Sequence, residues 1–166
     1  MSTSKKQPFS IGLFLFILVI STIIIDQTTK WMAVTNLTLH HPINVCPFFN
    51  LFLTYNKGVS FSLFSNSNPL TPFYLSLMGL ILCSCIIYWI IKEKDFLIQM
   101  GLSYILGGAI GNIIDRIRLG YVVDFLDIYY KNNHWPAFNG ADSFICLGAF
   151  IIFIRIFFKK EEESPK

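Results

Sequence analysis

Charge is what this sequence has least of. Asp, Glu, Lys and Arg together make up 14% of its 166 residues, while 54% are hydrophobic. Such a composition excludes an ordinary soluble domain. Other absences narrow the field further. The cysteines, Cys46, Cys83, Cys85 and Cys146, show no metal-ligand spacing and no disulfide framework. No HExxH stretch occurs, which removes the commonest zinc-peptidase signature. His40-His41-Pro42 lacks an ordered set of further ligands, so no metal is expected. No small-x-small site follows the first apolar run, so that run reads as a retained anchor and not a cleaved signal. No internal repeat is visible, which counts against transporters built from duplicated halves.

What is present is apolar sequence in long uncharged stretches. Phe9 to Ile25, Pro69 to Ile91, Phe96 to Ile114 and Ser143 to Ile154 carry no charge at all. A membrane-spanning helix needs about 20 apolar residues. The spacing predicts an all-α integral membrane protein of one domain, residues 1–166, with four transmembrane helices over about 10–33, 69–91, 96–116 and 141–158. Lys5 and Lys6, Lys92 and Lys94, and Lys159 and Lys160 fall at three connections that the positive-inside rule places in the cytoplasm. The tails 1–8 and 159–166 are then cytoplasmic, and the connections 36–68 and 118–139 lie outside.

Within the first outer connection, Val59, Phe61 and Leu63 alternate with Ser60 and Ser62 after an Asn56-Lys57-Gly58 turn. Period two and a glycine turn predict a hairpin or small sheet, over about 43–64, on the outer membrane surface with its apolar face toward lipid. Gly107 and Gly111, four apart, allow another helix to come close.

The few charges converge in depth. Asp26 and Lys30 are four apart at the outer end of the first span, in the favourable order for an ion pair. Asp115 lies about 30 Å along the third span at 1.5 Å per residue, the outer boundary again. Asp142 opens the fourth span, and Asp124 lies in the outer connection. Ionisable groups at membrane depth are costly and mark functional sites. Asp26 with Lys30 reads as a structural pair, and Asp115 with Arg116 as a brace. Asn112, three before Asp115, is either structural or substrate-positioning. Asp127 reads as a solvated loop acid and Ser143 as a helix cap. Asp124 and Asp142 fit either a catalytic pair sharing one proton or a proton relay. The first reading gives an aspartic peptidase, the second a small proton- or ion-coupled transporter. A non-catalytic membrane scaffold is the third class.

The residues also resemble a known family. DQTTK at 26–30, NKGVSF at 56–61, GNIIDR at 111–116 with VVDF at 122–125, and PAFNGADS at 136–143 are similar to the ordered motif blocks of lipoprotein signal peptidases, or signal peptidase II. The resemblance implies a small extracytoplasmic β-cradle on the membrane surface and an aspartic endopeptidase with its dyad on Asp124 and Asp142. It implies binding or supporting roles for Asn56, Gly58, Asn112, Arg116 and Asn139, and architectural or site-shaping roles for Asp26, Lys30 and Asp115. The implied substrate is a prolipoprotein carrying diacylglycerol on its cysteine, cut just before that residue. Membrane lipids would surround a monomer that takes no cofactor, metal or nucleic acid and is inhibited by the cyclic peptide globomycin. Its place would be the bacterial inner membrane, with the active site near the periplasmic face. Gly140 departs from the family pattern, where a larger apolar residue is usual, a change that would loosen the start of the fourth span. The GxGD motif of prepilin-peptidase and presenilin types is absent.

Overall fold

The computed structural model describes residues 9–58 and 70–162. Their order is α1 (Phe9–Asn36), β1 (Ile43–Cys46), β2 (Phe49–Asn56), α2 (Thr71–Lys92), α3 (Phe96–Leu119), β3 (Val122–Tyr130), β4 (Asn133–His134) and α4 (Gly140–Glu162). All four helices are long and apolar enough to cross a membrane, over Ser10–Asn36, Thr71–Lys92, Phe96–Leu119 and Gly140–Phe158. The chain is thus a four-span membrane protein with a small sheet. The expected strand over Val59–Leu63 lies outside the described residues.

α3 is the helix around which the others gather. It buries 61% of its apolar window, against 11–22% for α1, α2 and α4. Helices in lipid gain from close van der Waals approach, and small residues permit it. A Cβ on Gly107 would stand 2.7 Å from Thr22 of α1, and one on Gly111 would stand 2.5 Å from Asp26 Oδ2. The other face of α3 meets α4, where a Cβ on Gly108 would collide with the Ala141 carbonyl and one on Gly148 with the Gly101 carbonyl. Backbone cannot yield as a side chain can. Gly148→Ala is expected to lower stability by about 1–3 kcal/mol, seen as a lower Tm in detergent, whereas Gly12→Ala, with open space at its Cβ, should leave Tm unchanged.

α3 starts where Asp95 accepts hydrogen bonds from the Leu97 and Ile98 amides at 3.0 and 3.3 Å and takes Arg155 Nε of α4 at 2.7 Å. It ends at Gly120, whose φ of 78° suits glycine. The chain then turns straight into β3.

The sheet is antiparallel in the order β1-β2-β3-β4. β2 and β3 pair from Phe49 opposite Ile128 to Asn56 opposite Val122, with a bulge between Leu51 and Thr54. The connection after α3 supplies two strands, so the sheet is built from both segments that join the helices at this end and not from 43–64 alone. Leu53 and Val123, each 2% exposed, pack with Phe125 on Ala33 near the C-terminal end of α1. That contact seats the sheet on the bundle and fixes the height of β3.

Candidate active site

A buried cluster joins α1 to α3. Lys30 Nζ reaches Asp26 Oδ2 and Asp115 Oδ2, each at 2.9 Å, and donates to Asn112 Oδ1 at 2.9 Å. All three ammonium protons therefore have an acceptor. Asp26 and Lys30 pair as their spacing predicts. Asp115 does not brace Arg116. Adjacent helical residues do not face each other, and Asp115 turns instead to Lys30, to Gln27 Nε2 at 2.9 Å and to the Val123 amide at 3.1 Å.

The backbone partners of the two acids show what the cluster holds. Asp26 Oδ1 accepts the Ala141 N–H at 2.7 Å, and Asp115 Oδ2 accepts the Val123 N–H. Ala141 precedes Asp142, and Val123 precedes Asp124. One lysine thus links two buried carboxylates, each of which grips the peptide N–H just before Asp124 or Asp142. Gln27, not expected from the sequence, completes the link by donating also to Asp26 Oδ2 and the Gly111 carbonyl, both at 3.2 Å.

A shell of amides orients Asp124 and Asp142. Asn56 Nδ2 donates to Asp124 Oδ2 at 3.1 Å, and the Gly58 N–H, donating to Asn56 Oδ1 at 3.1 Å, fixes that amide's direction. Asn139 Nδ2 donates to Asp124 Oδ1 at 2.7 Å and to Asn112 Oδ1 at 3.2 Å. Asn112 Oδ1 is thus occupied by Lys30 and Asn139, which leaves its Nδ2 to donate to Asp142 Oδ1 at 2.8 Å. Asn112 is a positioning residue and a structural one together.

Asn139 is also the cap of α4. Its Oδ1 accepts the Asp142 N–H at 3.0 Å, while Asp142 Oδ2 accepts the Asn139 N–H at 3.3 Å. This reciprocal pair is a capping box with an acid in the third helical position. Ser143, expected as the cap, instead donates its hydroxyl to the Asn139 carbonyl at 2.9 Å. Gly140 does not loosen this start. A Cβ there would meet Thr29 Oγ1 at 3.3 Å and Asp26 Oδ1 at 3.4 Å, so glycine lets α4 begin tight against α1. Asn139→Ala is expected to cost about 1 kcal/mol through the lost cap, measured as a lower Tm in detergent.

Asp124 and Asp142 line one cavity of about 530 Å³ with Asn56, Gly58, Asn112 and Arg116. The structure thus gathers six of the expected site residues at one opening, with Asn139 behind them and Asp26, Lys30 and Asp115 beneath. Asp124 is 2% exposed. Burial pushes its carboxyl up to about 6 from the usual 3.8; the charge of Asp142 adds to the rise, and donation from Asn56 and Asn139 opposes it. Asp142 sits in the first turn of α4, where the helix dipole favours negative charge. Asp124 and Asp142 thus sit in unequal environments.

Asp127 is not a solvated loop acid. It is 4% exposed, accepts from Asn50 Nδ2 at 2.9 Å and lies 2.9 Å from His134 Nδ1. β3 turns it onto the sheet face away from Asp124.

Known proteins resemble this chain along most of its length. The family described as signal peptidase (SPase) II matches residues 18–158. The lipoprotein signal peptidase of Acinetobacter baumannii is 41% identical over 146 residues, covering 87% of this chain and 82% of that one. That of Polynucleobacter necessarius is 42% identical over 149 residues, covering 87% and 91%. A solved structure described as a bacterial membrane enzyme, determined by the in meso method at 2.3 Å resolution, superposes with a TM-score of 0.79 at 27% identity, covering 92% of this chain and 93% of that one.

Proposed function

The chain belongs to the signal peptidase II family, and from that premise we propose that Asp124 and Asp142 form the catalytic dyad of a membrane-embedded aspartic peptidase acting on prolipoproteins. The observation that carries this reading is their meeting in one cavity, each braced through the amide N–H before it to the Lys30 cluster. Membership of a peptidase family leaves the transporter reading without support.

The mechanism follows from the unequal environments. Asp142, as carboxylate, takes a proton from a water molecule, and the hydroxide oxygen bonds to the scissile carbonyl carbon. Asp124 gives its proton to the carbonyl oxygen. The tetrahedral intermediate then collapses. Its C–N bond breaks, the proton held by Asp142 passes to the departing amine, and a proton from the gem-diol returns to Asp124. No covalent acyl-enzyme is formed, and two carboxyls with one proton are enough. Arg116, lining the cavity, offsets the negative charge that develops there.

The substrate is a precursor carrying diacylglycerol on the cysteine that becomes its N-terminus. Burying acyl chains is worth about 0.8 kcal/mol per CH₂, so such a cysteine stays at the bilayer surface. The dyad lies where spans α1, α3 and α4 reach the sheet, at that level. The positive-inside rule, applied to the basic residues at the connections, supports cytoplasmic termini and a dyad facing the periplasm from the inner membrane. The protein acts as a monomer, and globomycin occupies the dyad cavity. Purified protein should cut a diacylglyceryl-modified precursor just before its cysteine, leave the unlipidated twin largely uncut, and be blocked by globomycin. Equal cutting of both precursors would reject the lipid-anchored reading.

The pH dependence has a definite sign. Asp124 keeps its proton below about 6 and loses it as pH rises through that value. Above it Asp124 is charged and the donor is gone. A plot of kcat/KM against pH is therefore expected to fall as pH rises through about 6. A rate that climbs steadily through and well beyond that value would contradict this.

A further inference from the structure

The dyad cavity has a neighbour of about 310 Å³, lined by Pro42, Phe52, Asp127, His134, Trp135 and Ala137. Trp135 and Ala137 line the dyad cavity as well, so residues 135–138 form the partition between the two. This stretch is an unfinished strand. The Trp135 N–H donates to the Ile128 carbonyl at 2.8 Å, and Phe138 exchanges bonds with Leu126 at 2.9 and 3.0 Å. Between these points, the N–H and C=O of Ala137 have no partner among the described residues. In an antiparallel pairing the groups of the residue next to a paired one, here Ala137 beside Phe138, point away from the neighbouring strand. Among the described residues they form a free sheet edge beside the dyad.

Such an edge takes up an extended peptide through main-chain hydrogen bonds. Successive side chains of that peptide must point to opposite faces, and here the two faces differ. On β3, Val122, Asp124 and Ile128 open into the dyad cavity, while Asp127 opens into the second cavity. A peptide on this edge whose lipidated cysteine faces the dyad cavity therefore turns its next side chain toward the second. The walls there fit an uncharged occupant. Pro42, Phe52 and Trp135 are apolar, and the buried Asp127 is already held by Asn50 Nδ2 and His134 Nδ1, each at 2.9 Å.

We propose that the precursor segment just beyond the lipidated cysteine binds as an extended strand along residues 135–138, with the side chain that follows the cysteine seated as an apolar group in the second cavity. This rests on the peptidase reading above. Phe52 lines the second cavity and not the dyad cavity, so it isolates the inference.

The experiment uses purified full-length protein and three diacylglyceryl-modified precursors differing only after the cysteine, which carry glycine, leucine or phenylalanine there. Wild type should prefer leucine to glycine by about 10-fold in kcat/KM, the scale that a few methylenes provide in an apolar pocket. Phe52→Trp should cut the phenylalanine precursor about 10-fold less well, relative to glycine, than wild type does. Phe52→Ala should shift that ratio the other way. Turnover of the glycine precursor, unchanged in both variants, shows that the dyad is intact. Identical leucine-to-glycine and phenylalanine-to-glycine ratios in all three proteins would overturn the inference while leaving the peptidase reading standing. Failure of wild type to cut any of the three would overturn both.

Discussion

Asp124→Asn and Asp142→Asn are each expected to lower kcat on a lipidated precursor by about 10⁴-fold, with membrane insertion and detergent-solubilised fold retained. The size follows from the chemistry. A positioned acid or base contributes about 10²–10⁴-fold, and residues that work as one unit lose nearly everything when either is removed. Insertion should survive because neither acid holds the bundle together. The helix contacts run through Gly107, Gly108, Gly111 and Gly148, and the buried ion cluster runs through Lys30. The check is kcat by single-turnover cleavage alongside Tm. Full turnover by either variant would remove that residue from the dyad.

The second large effect falls on stability. Lys30→Met is expected to destabilise the protein by about 3–5 kcal/mol, the usual cost of removing one member of a buried ion group. Lys30 is 3% exposed and Asp26 0%, so Asp26 and Asp115 would be left facing each other with little water to screen them. The variant should also lose activity, because Asn112 loses the bond that aims its amide at Asp142. Removing all the charges together gives the control. Lys30→Met with Asp26→Asn and Asp115→Asn should recover much of the stability, since a buried ion group replaced whole costs little. It should not recover the rate, because the grip on the Val123 and Ala141 amides is weakened. Thermal unfolding in one detergent measures both stabilities, and a Lys30→Met protein with wild-type Tm would contradict the cluster's role.

Much of the architecture is legible in the amino-acid sequence alone. Long uncharged runs have one physical explanation, and the spans at 69–91 and 96–116 match α2 and the body of α3 closely. The i, i+4 order of Asp26 and Lys30 and the four-residue spacing of Gly107 and Gly111 are local rules that the helices obey. The convergence of Asn56, Asn112, Arg116, Asp124 and Asp142 on one cavity follows from depth and from family resemblance. What escapes is whatever depends on a partner far along the chain. β3 gives no strand signal because VVDFLDIYY does not alternate: Asp124 and Asp127 are three apart, on opposite faces, and each is buried by amides from β2 or by residues of 133–139. Asp127 looks solvated because nothing near it in sequence announces Asn50. Asp115 stands beside Arg116 in the sequence, but the helix turns it toward Lys30 on a different span. Asn139 does carry a local signal: an asparagine three residues before an acid, ahead of an apolar run, is a helix-start signature. Gln27 gives a fainter one, a polar residue one helical turn before Lys30 on an otherwise oily segment.

Asp124 and Asp142 are expected to act as one proton-sharing unit. Single-turnover cleavage of one lipidated precursor by Asp124→Asn, Asp142→Asn and the double variant tests it most directly. Three residual rates that agree within about threefold would be the mark of a single unit. A double variant slower than either single by the product of their separate effects would show two independent contributions and contradict the claim.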